Sequence, residues 1–475
     1  MGMEKSASIL ICLAALGLMP RLGAAVLVPV KGVDKDLEVE IVEPEKDAPV
    51  RNRGREQKGV DNVSKWAASG FLNSQYRYRS GDGKDDHDLY ETLGLGLDRG
   101  GKIKIDILGR VTADLDADTD QAGYYVFDSL ADSKKRNVDA QIYAASFEFC
   151  KIGRIDSLKL GRQSLTGTPE LAQFDGISVQ ADDISVWKRA FALGVYAGLP
   201  VRYYESSNGG GMGGLFVSGE LWKGNRTRVD WMHVSDEVLG NSNDNDVFSL
   251  NLDQFLNRRY HLSLGYSFLE EESRDLKLGV NYSNPECDLQ VLSSCRILLN
   301  TQKDYALEFN PYYSTLREIR PYTQGSLLVS KGLGEHVLLD LGYDFRQVRD
   351  DADVGTNNRE FDRYFLTSTL RDLPWDKSSL GLTGEYWKSG ERNLVSYGLD
   401  MSHRCTSKLE ASVGTQFSLY KYDFYQDRER NEVQSYYTRV RYELRDNLKL
   451  RASYEFEDDD IESYHVLKMG IQCLF

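Results

Sequence analysis

Apolar and polar residues alternate along nearly the whole chain from Gly70 to Phe475. In the segment 448–457 the apolar face comprises Leu448, Leu450, Ala452, Tyr454 and Phe456. The opposite face of that segment carries Lys449, Arg451, Ser453, Glu455 and Glu457. Similar runs occur at 93–97, 102–115, 260–268, 276–282, 337–345 and 436–444. A period of two predicts β-strands with one apolar face and one polar face.

The length of these runs separates two all-β architectures. Strands of a soluble sandwich usually have about 5–6 residues, whereas a tilted membrane-spanning strand needs about 9–11. The polar faces also carry full charges, which a buried sandwich core cannot accept without partners. The pattern therefore predicts a transmembrane antiparallel β-barrel with an even number of strands, about 18–22. Our count is 22 strands, with both chain termini on the periplasmic side.

Connections of two lengths alternate along the chain. Short turns fall at 99–101, 223–225, 257–258, 331–334 and 445–447. Longer links, many of them acidic, fall at 80–88, 116–137, 199–213, 235–246, 350–359, 423–431 and 457–460. Short periplasmic turns and longer outer loops are typical of outer-membrane barrels. The segment 284–301 falls on the periplasmic side in this count and is long for a turn there, so either the count slips near this point or the segment is a real periplasmic feature.

The N-terminus has the features of an export signal. Lys5 precedes an apolar stretch at 9–19, and the small residues Gly23, Ala24 and Ala25 follow. This order predicts a secretory signal peptide over residues 1–25. Residues 26–69 are crowded with charge and contain no aromatic residue before Trp66, so we expect a flexible periplasmic extension. The barrel domain is then predicted over 70–475.

Composition narrows the classes of function. The chain has 475 residues, 28 Tyr, 42 Gly and only 10 Pro, which suits many strands better than many helices. After residue 25 no apolar run is long enough for a membrane helix. The net charge of -15 argues against nucleic acid as a partner, because phosphates would be repelled.

The cysteines are sparse. Beyond the signal peptide the chain has Cys150, Cys287, Cys295, Cys405 and Cys473, an odd number that does not form a disulfide scaffold. Cys287 and Cys295 are close in sequence, and an exported chain can bridge such a pair. The sequence leaves open whether this disulfide forms. No C-x-x-C-H motif occurs, so we expect no c-type haem and no other cofactor on this chain.

The C-terminal residues carry a more specific signal. Leu467, Met469, Ile471 and Cys473 alternate up to a terminal Phe475. This segment resembles the last strand of bacterial outer-membrane proteins. The resemblance implies an outer-membrane location, recognition by the barrel assembly machinery, and contact with membrane lipid and lipopolysaccharide.

A second resemblance lies in the middle of the chain. The residues from Leu158 to Gln163 read Leu-Lys-Leu-Gly-Arg-Gln, and Phe174-Asp175-Gly176 follow. The two segments together resemble alginate-export-like porins, which implies a barrel of that kind but no particular solute. Strict alternation places Arg162 on the same face as Leu158 and Leu160.

If the apolar faces contact lipid, charged residues line the lumen. The predicted pore-lining residues are Lys104, Asp106, Arg110, Asp114, Arg226, Arg228, Asp230, Asp344, Arg346, Arg439, Arg441, Glu443, Lys449, Arg451 and Glu455. Arg439 and Arg441 beside Lys449 and Arg451 would form a basic ladder that attracts anions. The alternative is a set of cross-strand ion pairs in a wet lumen with little selectivity.

Two functions fit this pattern. One is a porin-type channel that passes polar or anionic solutes, among them oligosaccharides or polysaccharides for export, without energy input. The other is a structural sheath that houses a multihaem cytochrome, as in porin–cytochrome conduits, with residues 26–69 placed to meet a periplasmic partner. An enzyme is disfavoured, because the six histidines are scattered and none lies in a recognisable motif.

Overall fold

The computed structural model describes residues 65–475 apart from 82–83, 117–136, 170–171, 187, 202–209, 239–240, 301–319, 355–358, 373–374, 391 and 424–427. The first strands are β1 (Trp66–Gly81), β2 (Lys84–Arg99), β3 (Ile103–Asp114), β4 (Val138–Ile152), β5 (Ile155–Leu165), β6 (Ala172–Val186), β7 (Arg189–Pro200), β8 (Gly211–Gly219), β9 (Asn225–Val238), β10 (Asn241–Asn257) and β11 (Tyr260–Leu269). The remaining strands are β12 (Glu272–Asn284), β13 (Leu289–Leu298), β14 (Tyr322–Leu333), β15 (Val337–Val348), β16 (Phe361–Arg371), β17 (Ser378–Ser389), β18 (Arg392–Arg404), β19 (Leu409–Asp423), β20 (Arg428–Arg445), β21 (Leu448–Asp458) and β22 (Ser463–Leu474). Short 3₁₀ turns lie at Pro285–Cys287 and Asp351–Asp353. Among these described residues, no helix is long and apolar enough to cross a membrane.

The strands form one closed antiparallel barrel, which confirms the predicted fold class and the count of 22. Each strand pairs with its sequence neighbour, and β1 pairs with β22 from Phe71–Leu474 to Ser80–His465. At the junction the amide of Gly70 donates to the carbonyl of Phe475 (2.8 Å), and the amide of Phe475 donates to the carbonyl of Gly70 (3.0 Å). The terminal residue thus completes the ladder that closes the barrel.

The register separates an apolar face from a polar face all around the sheet. On the apolar face Leu341 and Leu366 are 59% and 52% exposed, whereas Asp88 and Asp230 on the polar face are fully buried. Side chains converge on the concave side of a barrel and spread apart on the convex side. The apolar face is therefore the outer, lipid-facing one, and the polar face is the inner one.

Aromatic side chains meet across the outer surface. The rings of Tyr343 and Tyr364 lie 4.7 Å apart, and Tyr386 follows at 6.3 Å from Tyr364. Across another strand pair the rings of Tyr436 and Phe456 are 6.2 Å apart. Such a band is typical of the girdle at a membrane–water interface.

The outer connections differ in length from those that we predicted. The strands β1 and β2 pair up to Gly81–Lys84, and β9 and β10 pair up to Val238–Asn241. Most of the predicted loops 80–88 and 235–246 are therefore strand. Charged residues there extend the hairpins, because strand pairing beyond the lipid needs no apolar face.

The segment 284–301 is not a long periplasmic connection, and the strand assignment from the sequence was at fault here. It contains a turn over Pro285–Cys287 and then the complete strand β13. The strand was missed because it reads Leu-Gln-Val-Leu-Ser-Ser-Cys-Arg, in which Ser293 and Cys295 occupy lipid-side positions and weaken the alternation.

The disulfide between Cys287 and Cys295, which the sequence left open, does not form in this structure. Both are free cysteines, Cys287 in the turn and Cys295 as the seventh residue of β13. At ~3.3 Å per residue, Cys295 lies about 20 Å along the strand from the turn. A disulfide requires Cα atoms about 4.4–6.8 Å apart, so the strand carries the two thiols out of reach.

The barrel starts at Trp66, four residues before the predicted boundary. The predicted signal peptide and nearly all of the extension 26–69 lie outside the described residues and remain predictions.

We expect Gly70→Val to impair barrel closure. A Cβ atom at Gly70 would lie 2.3 Å from the carbonyl oxygen of Gly94 and 2.9 Å from the ring of Phe475. Overpacking of this kind typically costs about 1–3 kcal/mol. Heat-modifiable migration on gels measures the folded fraction. Gly384→Ala is the matched control, since nothing lies within 4 Å of a Cβ there. Equal folding of both variants would contradict the prediction.

Candidate functional site

The register places every predicted pore-lining residue on the inner face. Five strands contribute them: β3, β9, β15, β20 and β21. On β3 they are Lys104, Asp106, Arg110 and Asp114, and on β9 they are Arg226, Arg228 and Asp230. On β15 they are Asp344 and Arg346. On the adjacent strands β20 and β21 they are Arg439, Arg441, Glu443, Lys449, Arg451 and Glu455. They form separate groups around the wall, because several strands lie between β3, β9, β15 and β20.

The predicted basic ladder on β20 and β21 contains both arrangements that the sequence left open. Arg441 lies directly opposite Arg451 in the register, which concentrates positive charge. Glu443 forms ion pairs with Arg441 (3.3 Å) and with Lys449 (3.6 Å). The guanidinium of Arg439 lies 4.0 Å from the centre of the Tyr437 ring. The patch is thus basic, and Glu443 compensates part of its charge near the periplasmic end.

Aromatic rings hold other inner arginines. The guanidinium of Arg228 lies 3.9 Å from the centre of the Phe216 ring, and that of Arg346 lies 4.0 Å from the centre of Tyr322. Asp230 also binds Arg228, at 2.7 Å. A cation over an aromatic face is attracted by the ring quadrupole. These contacts fix the guanidinium planes against the wall rather than across the lumen.

The segment after β5 folds inward. At Gly167 a Cβ atom would lie 3.2 Å from Cζ and Nη1 of Arg228. Arg228 belongs to β9, so the segment and the Arg228 side chain approach each other over the inner faces of the strands between β5 and β9. Pro169 is buried. The residues 166–169 therefore narrow the lumen on the side of β6–β9.

An apolar cluster lies behind this segment on the inner face, and Leu165 packs against it. Its members are Ala172, Phe174, Tyr196, Met212, Met232, Val234, Val247 and Leu269. They occupy inner positions near the outer ends of β6–β11, where the sequence predicted polar lining. We did not predict this cluster, since its members are dispersed over six strands and only the register brings them together.

Several inner ion pairs also escaped the sequence analysis. Arg77 and Asp88 form a buried pair at 2.6 Å, at 3% and 0% side-chain exposure. Arg363 bridges Asp344 at 3.0 Å and the carboxylate of Glu385. Alternation at 75–79, with Gln75, Arg77 and Arg79 on one face, was the available signal for the first pair. The bridge through Arg363 depends on cross-strand register, which no local pattern reveals.

The outer ends of β2 and β3 are acidic. Asp88 lies opposite Asp114 in the register, and the amide of Asp116 donates to Oδ1 of Asp114 (3.2 Å). Burial, together with a side-chain hydrogen bond to Asp114, raises the pKa of Asp116 to about 6. This carboxyl therefore takes up a proton well above the usual pH for aspartate.

Arg162, from the Leu-Gly-Arg-Gln segment, lies on the outer face, as strict alternation predicts. It binds Asp175 on β6 through two hydrogen bonds of 2.8 and 2.7 Å and donates to the carbonyl of Ile142 on β4 (2.8 Å). Gln173 donates similarly to the carbonyl of Tyr143 (2.8 Å). Pairing between β4 and β5 ends at Ala145–Arg162. These side chains thus satisfy the backbone carbonyls that β5 leaves unpaired.

We expect Arg162→Leu to weaken the barrel wall and leave ion flow through the lumen unchanged. It removes the partner of the Ile142 carbonyl and of Asp175, and an unsatisfied polar group costs about 1–3 kcal/mol. Urea unfolding in detergent measures the stability, and the reversal potential in planar bilayers measures ion selectivity. A shift of the reversal potential at unchanged stability would contradict this assignment.

No cluster of three or more His, Cys, Asp or Glu side chains suited to a metal ion occurs in the described part of the barrel.

A closed 22-stranded transmembrane barrel with a lipid-facing outer surface is the fold of a bacterial outer-membrane protein. No protein-family model matches the chain, and no curated protein matches it either.

Several solved outer-membrane structures are similar in fold. OpdK of Pseudomonas aeruginosa is 10% identical with a TM-score of 0.42, over 86% of this chain and 99% of OpdK. A BenF-like porin of Pseudomonas fluorescens Pf-5 is 11% identical with a TM-score of 0.41, over 86% and 98% of the two chains. OccD3 (OpdP) of P. aeruginosa is 11% identical with a TM-score of 0.42, over 88% and 93%. The similarity concerns barrel architecture alone.

Proposed function

We propose that the protein is a porin-type channel that passes polar and anionic solutes across the outer membrane without energy input. The observation that carries this proposal is the inner face, on which charged and polar side chains follow one another on most strands of a wide barrel. Solutes with polar surface can exchange hydration water for such a wall. Outward apolar residues keep the lipid apart from this path.

Electrostatics supports a preference for anions. The patch of Arg439, Arg441, Lys449 and Arg451 lies near the periplasmic ends of β20 and β21, and Glu443 compensates only part of its charge. A low-dielectric wall focuses the field of such a patch into the lumen. The net charge of the whole chain, -15, acts over longer distances and is screened by salt.

The inward residues 166–169 support selection by size. They rest on Arg228, which Asp230 and the Phe216 ring hold in place. Because the segment packs against the Arg228 guanidinium, which is itself held in place, it narrows the lumen at a defined position. We propose that solutes pass beside this segment and next to the basic patch.

Planar-bilayer recording tests the channel. We expect the wild-type barrel to conduct ions and the variant Arg439→Ala/Arg441→Ala/Arg451→Ala to show a lower anion preference, because three inner positive charges are lost. Lys388→Ala is the matched control: Lys388 pairs with Asp362 on the outer face, so its loss should not move the reversal potential. A wild-type barrel that does not conduct would refute the channel. An unchanged reversal potential in the triple variant would refute the role of the basic patch alone.

Export of an oligosaccharide or polysaccharide is a narrower form of this proposal. It rests on the resemblance of 158–163 and 174–176 to alginate-export-like porins. Arg162 and Asp175 of those segments serve the outer wall, so they supply no contact to a sugar in the lumen. We therefore propose that small polar or anionic solutes are the substrates of the channel. Block of the conductance by an acidic oligosaccharide would instead support export of an oligosaccharide or polysaccharide.

The second candidate is a sheath for a multihaem cytochrome. One observation favours it: barrels of 22 strands have a lumen wide enough to hold a folded plug. Gentle detergent extraction followed by a haem stain discriminates between the two functions. We expect a colourless barrel that conducts ions. A red complex that does not conduct would support the sheath and refute the free channel.

A further inference from the structure

The barrel wall is incomplete between β18 and β19. These strands pair over six positions, from Leu399–Thr415 to Arg404–Glu410. By contrast, β17 and β18 pair over twelve positions, and β19 and β20 over fourteen. Beyond Leu399 and Thr415, β18 continues to Arg392 paired with β17 only, and β19 continues to Asp423 paired with β20 only. Two hairpins therefore part from each other towards the outer side of the membrane.

The separation begins within the lipid. Six paired residues cover about 20 Å along a strand at ~3.3 Å per residue, or about 15 Å of membrane thickness at a tilt near 40°. The apolar band of such a barrel is about 25 Å tall. Unpaired backbone groups are tolerated at membrane depth only where they line a water-filled cavity or are covered by protein. The unpaired backbone on both borders of the gap therefore lines a water-filled space or is covered by protein.

Side-chain exposure agrees with a missing neighbour. Val395, on the outer face of β18, is 84% exposed, and Tyr397 is 60% exposed. On the next strand, β17, which is paired on both sides, the outer residues Leu382 and Tyr386 are 47% and 41% exposed. The excess at Val395 and Tyr397 arises because β19 does not lie beside them.

Two tyrosines of β20 hold the point where the strands part. Tyr436 reaches across the outer face of β19 towards Tyr397 of β18. Tyr437 reaches across the inner face of β19, and its hydroxyl donates a hydrogen bond to the carboxylate of Asp400 on β18. The inner contact passes over Gly414, where a Cβ atom would lie 2.5 Å from the Tyr437 hydroxyl. We call Tyr397, Asp400, Tyr436 and Tyr437 the tyrosine clasp. These side chains keep β18 and β19 from separating further along the paired stretch.

The borders of the gap are amphipathic. Alternation places Ser396, Gly398, Gln416 and Ser418 on the inner side and Val395, Tyr397 and Phe417 on the outer side. Ser396 is buried and its hydroxyl donates to Glu385 (3.3 Å), so the polar groups that a crossing molecule meets first are those of Gln416 and Ser418.

We propose that the gap between residues 392–398 and 416–423 is a lateral opening, through which a lipid or lipid-like amphiphile passes between the lumen and the outer leaflet. The polar head of such a molecule stays with the inner hydroxyl and amide groups and the unpaired backbone, and its apolar chain leaves past Val395 and Phe417. This assignment goes beyond the channel function and does not depend on ion conduction.

Photo-crosslinking from the inner face tests the opening. Benzoylphenylalanine replaces Gln416, an inner residue beside the gap, in the full-length protein in native outer membranes. The same replacement at Ser412, an inner residue paired with Ser402, is the negative control, and that at Val395 is the positive control. After irradiation we expect adducts of lipid mass at Gln416 and Val395 and none at Ser412. Heat-modifiable migration verifies that each variant folds.

Two outcomes would overturn the proposal. Lipid adducts at Val395 without any at Gln416 would mean that lipid chains do not reach the inner side. A protein adduct at Gln416 would mean that another polypeptide covers the gap.

A disulfide across the gap supplies an independent test. Continuing the register of Leu399 and Thr415 places Ser396 opposite Ser418, so Ser396→Cys/Ser418→Cys can close the wall on oxidation. We expect oxidation to remove the lipid adduct at Gln416 and reduction to restore it. Ser402→Cys/Ser412→Cys, within the paired stretch, is the matched control and should leave the adduct unchanged. An adduct that persists in the oxidised form of the first variant would refute passage through the gap.

Discussion

The hydrogen bonding of the backbone in lipid is the constraint on which this structure depends. A strand in hydrocarbon has no water to satisfy its N–H and C=O groups, so each edge needs a partner. The pairing of β1 with β22 removes the last two edges, and the reciprocal bonds between Gly70 and Phe475 complete that pairing at the periplasmic end. Phe475 is therefore part of the wall at the point where the barrel closes.

The same constraint explains how the wall behaves where pairing stops early. Between β4 and β5 the carbonyls of Ile142 and Tyr143 accept hydrogen bonds from Arg162 and Gln173. Side chains there replace the missing strand. Between β18 and β19 the tyrosine clasp fixes the end of the pairing, but the strands above it diverge. One interruption is thus sealed by polar side chains, whereas the other keeps its borders apart.

The inner wall combines charge with aromatic surface. Arg228, Arg346 and Arg439 each lie about 4 Å from the centre of a ring. A guanidinium stacked in this way keeps its charge and loses mobility. The inner face thus carries positive charges that are held in place, and neighbouring carboxylates such as Glu443 and Asp230 offset part of that charge.

The sequence by itself determined the fold class, most of the strands and the two faces of those strands. Leu448 to Glu457 predicts both faces of β21 correctly, because the orientation of a side chain in a strand alternates with every residue and needs no information from elsewhere. The same local rule placed Arg162 on the outer face. It failed at β13, where Ser293, Ser294 and Cys295 weaken the contrast between the two faces.

Only the tertiary structure decided which residues meet. That Arg441 lies opposite Arg451 and that Arg363 joins Asp344 to Glu385 follow from the stagger between strands. The approach of Gly167 to Arg228 and the parting of β18 from β19 also depend on how the closed barrel curves. Register and closure are properties of all the strands together, and a pattern with period two excludes a slip by one residue but does not choose among slips by two.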